Sequence, residues 1–286
     1  MAAKIGIGVN GWVWTAPFQR DSLPLLHQAA AMGFDAFTVP IEQPELIEPE
    51  EIKAVAGALG LRLHVTGAFG PTRDLTHAQG RFRREALTYI RTTLALCEQL
   101  GAGLLVGPMY ASTGKRRHRT AAQRAQEWER AVTGLREATR MARDHGVVLG
   151  IEPLNRFETD LVNTAAQAKR LLGDIGETGV GIHLDTFHMH IEEKSIREAV
   201  RTAGADLVYV DASESDRGTP GTGQVHWREL AAALGEIGYR GDCVIESFTP
   251  DCSIAAAAAI WRPLAASQDR LAGDGYEFLR KLLRKR

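Results

Sequence analysis

The sequence predicts an α/β protein built as a single (β/α)8 (TIM) barrel, and three observations lead to this fold class. Eight short apolar runs recur along the chain, and each precedes a longer segment whose apolar residues repeat with helical spacing. The runs are spaced by one strand plus one helix, and no Pro/Ser-rich linker interrupts the 286 residues, so we expect one domain over residues 1–286. No GxGxxG motif follows the first run, which counts against the alternative, a doubly wound open sheet.

Each apolar run has the length of one buried strand of a parallel sheet. The predicted strands cover residues 5–9, 34–39, 61–65, 103–106, 147–151, 181–184, 207–210 and 243–245. The helical segments after the first three strands end at Gly33, Gly60 and Gly101, as helices with glycine C-caps do. Long polar segments, 107–124 and 212–227, follow the fourth and seventh strands. In a barrel such loops lie on the C-terminal face, where active sites form.

Composition and charge describe a soluble globular chain. A hydrophobic fraction of 44% and a charged fraction of 24% exclude disorder and collagen. Thirty-four Lys and Arg residues balance 35 Asp and Glu residues, so no overall basic field would attract nucleic acid or an anionic membrane. Three cysteines without a CxxC pair argue against a disulfide framework or a structural zinc site. Because neither a signal peptide nor a membrane span is recognisable, we expect a cytoplasmic protein.

Polar residues stand at the ends of five predicted strands: Asn10, Glu152, Asp185, Asp211 and Glu246. Parallel strands bring these ends to one rim of the barrel, where the four carboxylates would repel one another unless a cation compensates them. Oxygen ligands suit Mn²⁺ or Mg²⁺ better than zinc, and Co²⁺ can replace them. The alternative interpretation is that each acid caps the following helix or pairs with a nearby arginine.

Four segments give the sequence a resemblance to a known family. They read GIEPLNRFETDLVNT at 150–164, LDTFHMHIEE at 184–193, ESDRGTPGTGQVHW at 214–227 and VIESF at 244–248. In content and order they resemble the D-tagatose 3-epimerase and D-allulose (psicose) 3-epimerase group of the xylose-isomerase-like TIM barrels. The resemblance extends from the first strand to the eighth.

The resemblance implies a divalent metal, usually Mn²⁺, held by Glu152, Asp185, the residue at position 211, and Glu246. Position 211 departs from the family, because relatives carry His where this chain carries Asp211 in VYVDASE. An aspartate can also ligate Mn²⁺, so we expect Asp211 to complete the metal site.

The resemblance also assigns Glu158, His188 and Arg217 to hydrogen bonds with an open-chain ketose. The residue types suit this role, because Arg and neutral His donate to carbonyl and hydroxyl oxygens, while a carboxylate accepts from hydroxyls. The alternatives are a surface ion pair for Arg217 and a packed core histidine for His188. Trp14 and Phe248 are candidates for apolar pocket walls, with a plain core role as the alternative.

Other polar features have structural interpretations. We expect His190 to lie in solvent or behind the ligands, and His183 to face a helix or the barrel interior. The segment GTPGTG at 218–223 lacks the lysine and spacing of a P-loop, which indicates a lid or a subunit-contact loop. The basic run of residues 115–124 is typical of a solvated helix entrance, the alternative being contact with nucleic acid or a phosphorylated substrate.

Together these features predict a metal-dependent 3-epimerase of free ketoses of the D-tagatose/D-sorbose, D-fructose/D-allulose or L-ribulose type. It would work through a cis-enediolate, with Glu152 and Glu246 as acid and base on opposite faces of C3 and the metal as a Lewis acid. The alternatives are an aldose–ketose isomerase, an inosose dehydratase, a C-glycoside deglycosylase subunit, an apurinic endonuclease and an inactive binding protein. We expect a small-molecule sugar as partner, no nucleic acid or membrane, and a homodimer or homotetramer.

Overall fold

Eight parallel strands pair in sequence order and close into a barrel in the computed structural model, which describes residues 5–283. The strands are β1 Gly6–Asn10, β2 Ala36–Ile41, β3 Arg62–Gly67, β4 Leu104–Gly107, β5 Val148–Ile151, β6 Val180–Asp185, β7 Leu207–Asp211 and β8 Asp242–Ile245. Because β1 pairs with β8, the predicted (β/α)8 barrel is confirmed and the open sheet is excluded. That residues 1–286 form one domain stays a prediction.

Helices follow every strand. They are α1 Pro24–Met32, α2 Pro49–Leu59, α3 Gly80–Leu100, α4 Ala121–Asp144, α5 Ala165–Ile175, α6 Thr186–Glu192, α7 Ile196–Ala203, α8 Trp227–Glu236 and α9 Gln268–Leu283. The predicted glycine ends are confirmed, since Gly33, Gly60 and Gly101 adopt left-handed φ angles of 93°, 69° and 73°. Within residues 5–283, none of the helices combines the length and apolar character needed to cross a bilayer.

Apolar side chains pack on both sides of the strands. One set, which includes Ile7, Val9 and Phe37, is buried between the barrel and the surrounding helices. A second set fills the barrel interior: Leu104, Val106, Tyr209 and Val244. The interior is therefore a packed core rather than a channel, and a site can form only at a rim of the barrel.

Strands β2 and β3 extend two residues further than predicted. Pro40 pairs with Thr66 and Ile41 with Gly67, although proline lacks the N–H that a strand normally contributes to the ladder. The extension makes Glu42 the first residue after β2. Glu42, which lies three residues beyond the predicted end of this strand at residue 39, thus stands at the C-terminal rim.

Candidate active site

A cavity of about 230 Å³ opens at the carboxyl ends of the strands. Among the sequence-predicted residues, those lining it are Glu152, Glu158, His188, Arg217, Glu246 and Phe248. Glu152 and Glu246 directly follow β5 and β8, whereas Asp185 and Asp211 end β6 and β7 and pair with each other in register. The barrel therefore gathers the four predicted carboxylates at one rim.

All four carboxylates are buried. Burial, followed by the charges of neighbouring acids, raises the pKa of Glu152, Asp211 and Glu246 well above the ordinary values. Burial also raises the pKa of Asp185. Holding four ionised carboxyls together is thus unfavourable, and a nearby cation would lower that cost.

Arg217 compensates part of this charge. Its Nη1 donates to Glu246 Oε2 at 2.9 Å and to Asp185 Oδ2 at 3.4 Å. Its backbone is left-handed, with a φ of 61°, a conformation that costs a non-glycine residue about 1 kcal/mol or more. The Arg217 N–H donates to the Glu214 carbonyl at 2.8 Å, and the Ser247 hydroxyl donates to the Arg217 carbonyl at 2.6 Å. These bonds hold the guanidinium between the acids.

His188 lies in α6 with a defined tautomer. The backbone N–H of Asn155 donates to His188 Nδ1 at 3.0 Å, so Nδ1 accepts and Nε2 carries the proton. Burial lowers the pKa of His188 well below its usual range, which keeps the ring neutral. Its Nε2 lies 3.6 Å from Glu152 Oε1 and 3.7 Å from Asp185 Oδ2. Asn155 Nδ2 also donates to Glu158 Oε1 at 3.0 Å, which places both predicted sugar contacts around one amide.

The helix-cap interpretation also applies to part of this site. Asp185 Oδ1 accepts from the Phe187 N–H at 2.8 Å and so caps α6, while Oδ2 faces Arg217. Asn10 similarly accepts from the Trp12 N–H at 3.1 Å through Oδ1. Its Nδ2 donates to Glu246 Oε1 at 3.2 Å. One side chain can therefore order the following turn and also contact a residue that lines the cavity.

A second polar cluster lies between β6 and β7. His183 faces the barrel interior, one of the two orientations expected, and its ring meets the Tyr209 ring edge to face at 4.9 Å. Burial lowers the pKa of His183 to about 3, so the imidazole is neutral. Its Nε2 lies 2.8 Å from Asp211 Oδ2, and its Nδ1 lies 3.7 Å from Glu152 Oε2.

The donor groups fit a divalent cation. Among the described residues, two sets of three side chains each bring one ligand atom within 4.8 Å of the others: Glu152, Asp185 and His188, and Glu152, His183 and Asp211. Glu246 and His190 belong to neither set, and Arg217 already donates to Glu246. Both oxygens of Asp211 and both ring nitrogens of His183 are buried without a hydrogen-bond partner. Such groups normally have partners, and a cation would provide one.

Sequence and structure comparisons place the chain among known proteins. Residues 26–282 match the Xylose isomerase-like TIM barrel family. The chain belongs to this family. Its relatives include the L-ribulose 3-epimerase of Mesorhizobium japonicum, which is 31% identical over 277 residues covering 96% of this chain and 92% of the relative. They also include the D-psicose 3-epimerase of Ruminiclostridium cellulolyticum, 31% identical over 266 residues covering 92% of this chain and 90% of the relative.

This xylose isomerase-like barrel also superposes on solved structures. The D-allulose 3-epimerase from Methylomonas sp. in complex with D-allulose matches with a TM-score of 0.92 and 27% sequence identity, over 98% of each chain. Because relatives at 31% identity over nearly the whole chain are ketose 3-epimerases, the chain is a member of an epimerase family, and epimerases are isomerase-class enzymes.

Trp12 and Glu42 are among the residues of this family member's cavity that were missed from the sequence. Trp12, rather than Trp14, lines the cavity and packs on Phe248 with ring centroids 5.5 Å apart. Trp14 instead donates its Nε1–H to Asp269 at 2.8 Å. Glu42 also lines the cavity and accepts from the Trp12 indole. Inspection of strand ends would have found Glu42 if β2 had been given its true length.

The basic run of this barrel pairs with acids of its own chain. Lys115 Nζ lies 2.8 Å from Asp74 Oδ2, and Arg117 lies 2.9 Å from both Asp160 and Glu127. Arg119 also pairs with Glu127, at 3.3 Å. These three cations order the segment before α4, whereas no ion pair joins Arg116 or Arg124 to an acid among the described residues.

Proposed function

We propose that this protein is a metal-dependent ketose 3-epimerase that interconverts free ketoses. The observation that carries the proposal is the placement of Glu152 and Glu246, which are buried and line one cavity from the ends of β5 and β8. The names of the relatives and the D-allulose complex of the Methylomonas sp. enzyme support a small ketose as the ligand.

Epimerisation at C3 requires removal of a proton next to the ketone and its return to the opposite face. One glutamate takes the C3 proton while the C2 carbonyl becomes a cis-enediolate. The other glutamate then delivers its own proton to the opposite face, and the carbonyl is restored. In the metal-free protein, burial and the neighbouring acids raise the pKa of Glu152 and Glu246. Which of them acts as the base depends on the epimer that binds.

Three further side chains are suited to holding the ketose near its reacting carbons. Arg217 and the neutral His188 donate to oxygens, and Glu158 accepts from hydroxyls. We propose that a divalent cation, Mn²⁺ in the first instance, with Mg²⁺ or Co²⁺ as substitutes, is held by Glu152, Asp185, Asp211 and Glu246. When bound, it would supply Lewis-acid stabilisation of the negative charge that develops on the ketose oxygens.

The charge of the cavity favours an unphosphorylated sugar. Glu42, Glu152, Glu158 and Glu246 line it, against the single guanidinium of Arg217 among the lining residues. A phosphate group would meet mainly carboxylates there, at a large electrostatic cost. Free ketoses, which offer only hydroxyls and a carbonyl, avoid that cost.

A substrate panel tests the proposal. The Mn²⁺-loaded protein is incubated with free ketohexoses, ketopentoses and their phosphates, and the products are separated by chromatography. The expected result is a C3 epimer with the ketone retained, from free sugars only. An aldose, loss of water or a released aglycone would instead identify one of the other enolate-forming activities, and turnover of phosphates alone would contradict the charge argument.

We also propose that the protein is a cytoplasmic homodimer or homotetramer. Sedimentation velocity of the purified chain, together with fractionation of the cells that express it, tests both statements. A monomer at all concentrations would contradict the first, and recovery outside the cytoplasm would contradict the second.

A further inference from the structure

His183 is buried in the barrel interior with neither ring nitrogen hydrogen-bonded. A neutral imidazole carries one N–H donor and one nitrogen acceptor, and an unsatisfied buried polar group costs about 1 to 3 kcal/mol. Buried polar side chains rarely lack all partners, so a ligand is the natural explanation of such a residue.

The groups opposite His183 are equally unsatisfied. Both oxygens of Asp211 are buried and without a hydrogen bond. Although His183 Nε2 lies 2.8 Å from Asp211 Oδ2, the contact does not have hydrogen-bond geometry. One atom each of Glu152, His183 and Asp211 lies within 4.8 Å of the others. Ligand atoms about 2.0 to 2.3 Å from one ion are separated by distances of this size.

The fold orients these groups toward each other. Ile182 pairs with Leu207 and His183 with Tyr209, so one additional residue of β7 is accommodated beside His183. Such bulges redirect side chains and often lie next to active sites. On β5, a Cβ added at Gly150 would lie 2.9 Å from Val106 Cγ1 and at an ordinary contact distance, 3.4 Å, from the Cβ of His183, so the glycine lets these strands pack closely.

We propose that His183 is a metal ligand of this protein and contributes an imidazole nitrogen to the cation that Glu152 and Asp211 also bind. The proposal rests on the metal dependence proposed above and adds to it a ligand that lies within β6 instead of at its end. A nitrogen donor favours Co²⁺ and Ni²⁺ over Mg²⁺, so His183 also bears on which metal the site selects.

The test compares His183→Phe with the unaltered protein, because phenylalanine keeps the ring contact with Tyr209 and removes both nitrogens. We expect Mn²⁺ affinity, measured by calorimetric titration, to fall by more than about 100-fold, beyond the loss usual for a residue that only orients a ligand. His64→Phe is the matched control, because His64 also packs edge to face on the Tyr209 ring but belongs to neither set of candidate ligands, so the affinity should be unchanged. His183→Gln provides a second, smaller replacement should the Phe variant fold poorly.

Pulsed EPR of bound Mn²⁺ supplies a readout independent of activity. The unaltered protein should show hyperfine coupling to an imidazole nitrogen, His183→Phe and His183→Gln should lose it, and His188→Phe should keep it. Loss of the coupling only in His188→Phe, or equal Mn²⁺ affinity with and without His183, would overturn the proposal while leaving ketose epimerisation intact. If the unaltered protein binds no divalent metal, this proposal and the metal dependence proposed above fail together.

Discussion

The surroundings of Glu152 and Glu246 in the barrel change the pKa of both side chains. Both are buried, and each lies close enough to other acids for neighbouring charges to raise its pKa further. Glu246 is additionally held by Asn10 and Arg217. Their proposed roles as acid and base therefore depend on surroundings supplied by other strands.

We predict that Glu152→Gln and Glu246→Gln each lower proton exchange at substrate C3 by at least about 100-fold, the usual scale of general acid–base catalysis. The amide keeps the size of the side chain and one oxygen, but it cannot accept the C3 proton. Solvent deuterium incorporation at C3, followed by NMR, measures the exchange. Glu137→Gln, the same change at an exposed residue of α4, should exchange like the unaltered protein. Unimpaired exchange in both cavity variants would contradict the two-base mechanism.

Asp211 gives the proposed site a fourth carboxylate. We predict that Asp211→His retains metal binding but shifts the preference from Mg²⁺ and Mn²⁺ toward Co²⁺ or Ni²⁺, because an imidazole is a softer donor than a carboxylate. Asp211→Ala should weaken binding of all four ions. Parallel metal titrations of the three proteins make the comparison. The same affinities and the same ranking in all three would show that Asp211 is not a ligand.

At the level of elements, the 212–227 loop is organised around one carboxylate. Glu214 accepts from the N–H groups of Ser215, Gly221 and Val225 and from the indole of Trp227, at 2.8 to 3.0 Å. The backbone N–H groups of Gly221 and Ser215 that could have cradled a phosphate are thus directed at Glu214. This supports the interpretation of the GTPGTG segment as something other than a phosphate site.

We predict that Glu214→Gln destabilises the protein by about 1 to 3 kcal/mol at pH 7, since the amide nitrogen would face donors. Burial would raise the pKa of Glu214, but the four donors outweigh it and hold the pKa below the ordinary 4.5. The stabilisation is therefore present above pH 4.5 and is lost as the pH falls through the lower pKa of the folded state. Urea unfolding at pH 7 and in steps below pH 4.5 measures the free energy of unfolding of both proteins. The difference between the two free energies should become smaller as the pH falls. A constant difference, or one equal to that of Glu137→Gln, would contradict this role.

At the scale of the whole molecule, the buried acids of the C-terminal rim impose an electrostatic cost on folding. Four buried acids meet one buried guanidinium. Burial, followed by repulsion from neighbouring acids, raises the pKa of Glu152, Asp211 and Glu246, and burial raises that of Asp185. The acids bind protons more tightly in the folded state than in the unfolded state. In the absence of metal, stability should therefore fall as the pH rises above the ordinary carboxyl pKa values of 3.8 to 4.5.

We predict that Mn²⁺ at a hundred times its dissociation constant stabilises the chelator-treated protein by about 2.7 kcal/mol. At one fixed Mn²⁺ concentration the gain should increase between pH 5 and pH 8, because the dissociation constant falls as more of the carboxyls ionise. Thermal melting with EDTA and with added Mn²⁺ across that range measures both effects, with Mn²⁺-saturated EDTA as a control for the chelator itself. Coincident melting curves, with no metal found by elemental analysis, would argue that the acids do not share a cation.

Much of this architecture was predictable because it follows from local rules. Apolar runs alternating with helical periodicity specify strand and helix in turn, and a polar residue at a strand end reaches the same rim in every unit. Applied to the sequence alone, that reasoning placed four carboxylates at one rim of the barrel: Glu152, Asp185, Asp211 and Glu246. Their roles as ligands and bases, like those of Glu158, His188 and Arg217, stay predictions until the variants are measured.

By itself, then, the sequence determined the order of the elements and the acids at the rim, since both depend on neighbours along the chain. Only the tertiary structure decided which groups meet across the barrel. Arg217 reaches Glu246 from the 212–227 loop, and Glu42 enters the cavity because β2 is longer than its apolar run. His183 could have been suspected from its place two residues before Asp185, on the same face of β6. The ring nitrogens of His183 meet the unsatisfied oxygens of Asp211 because of the register of β6 against β7. The pattern of side chains along one strand does not determine that register.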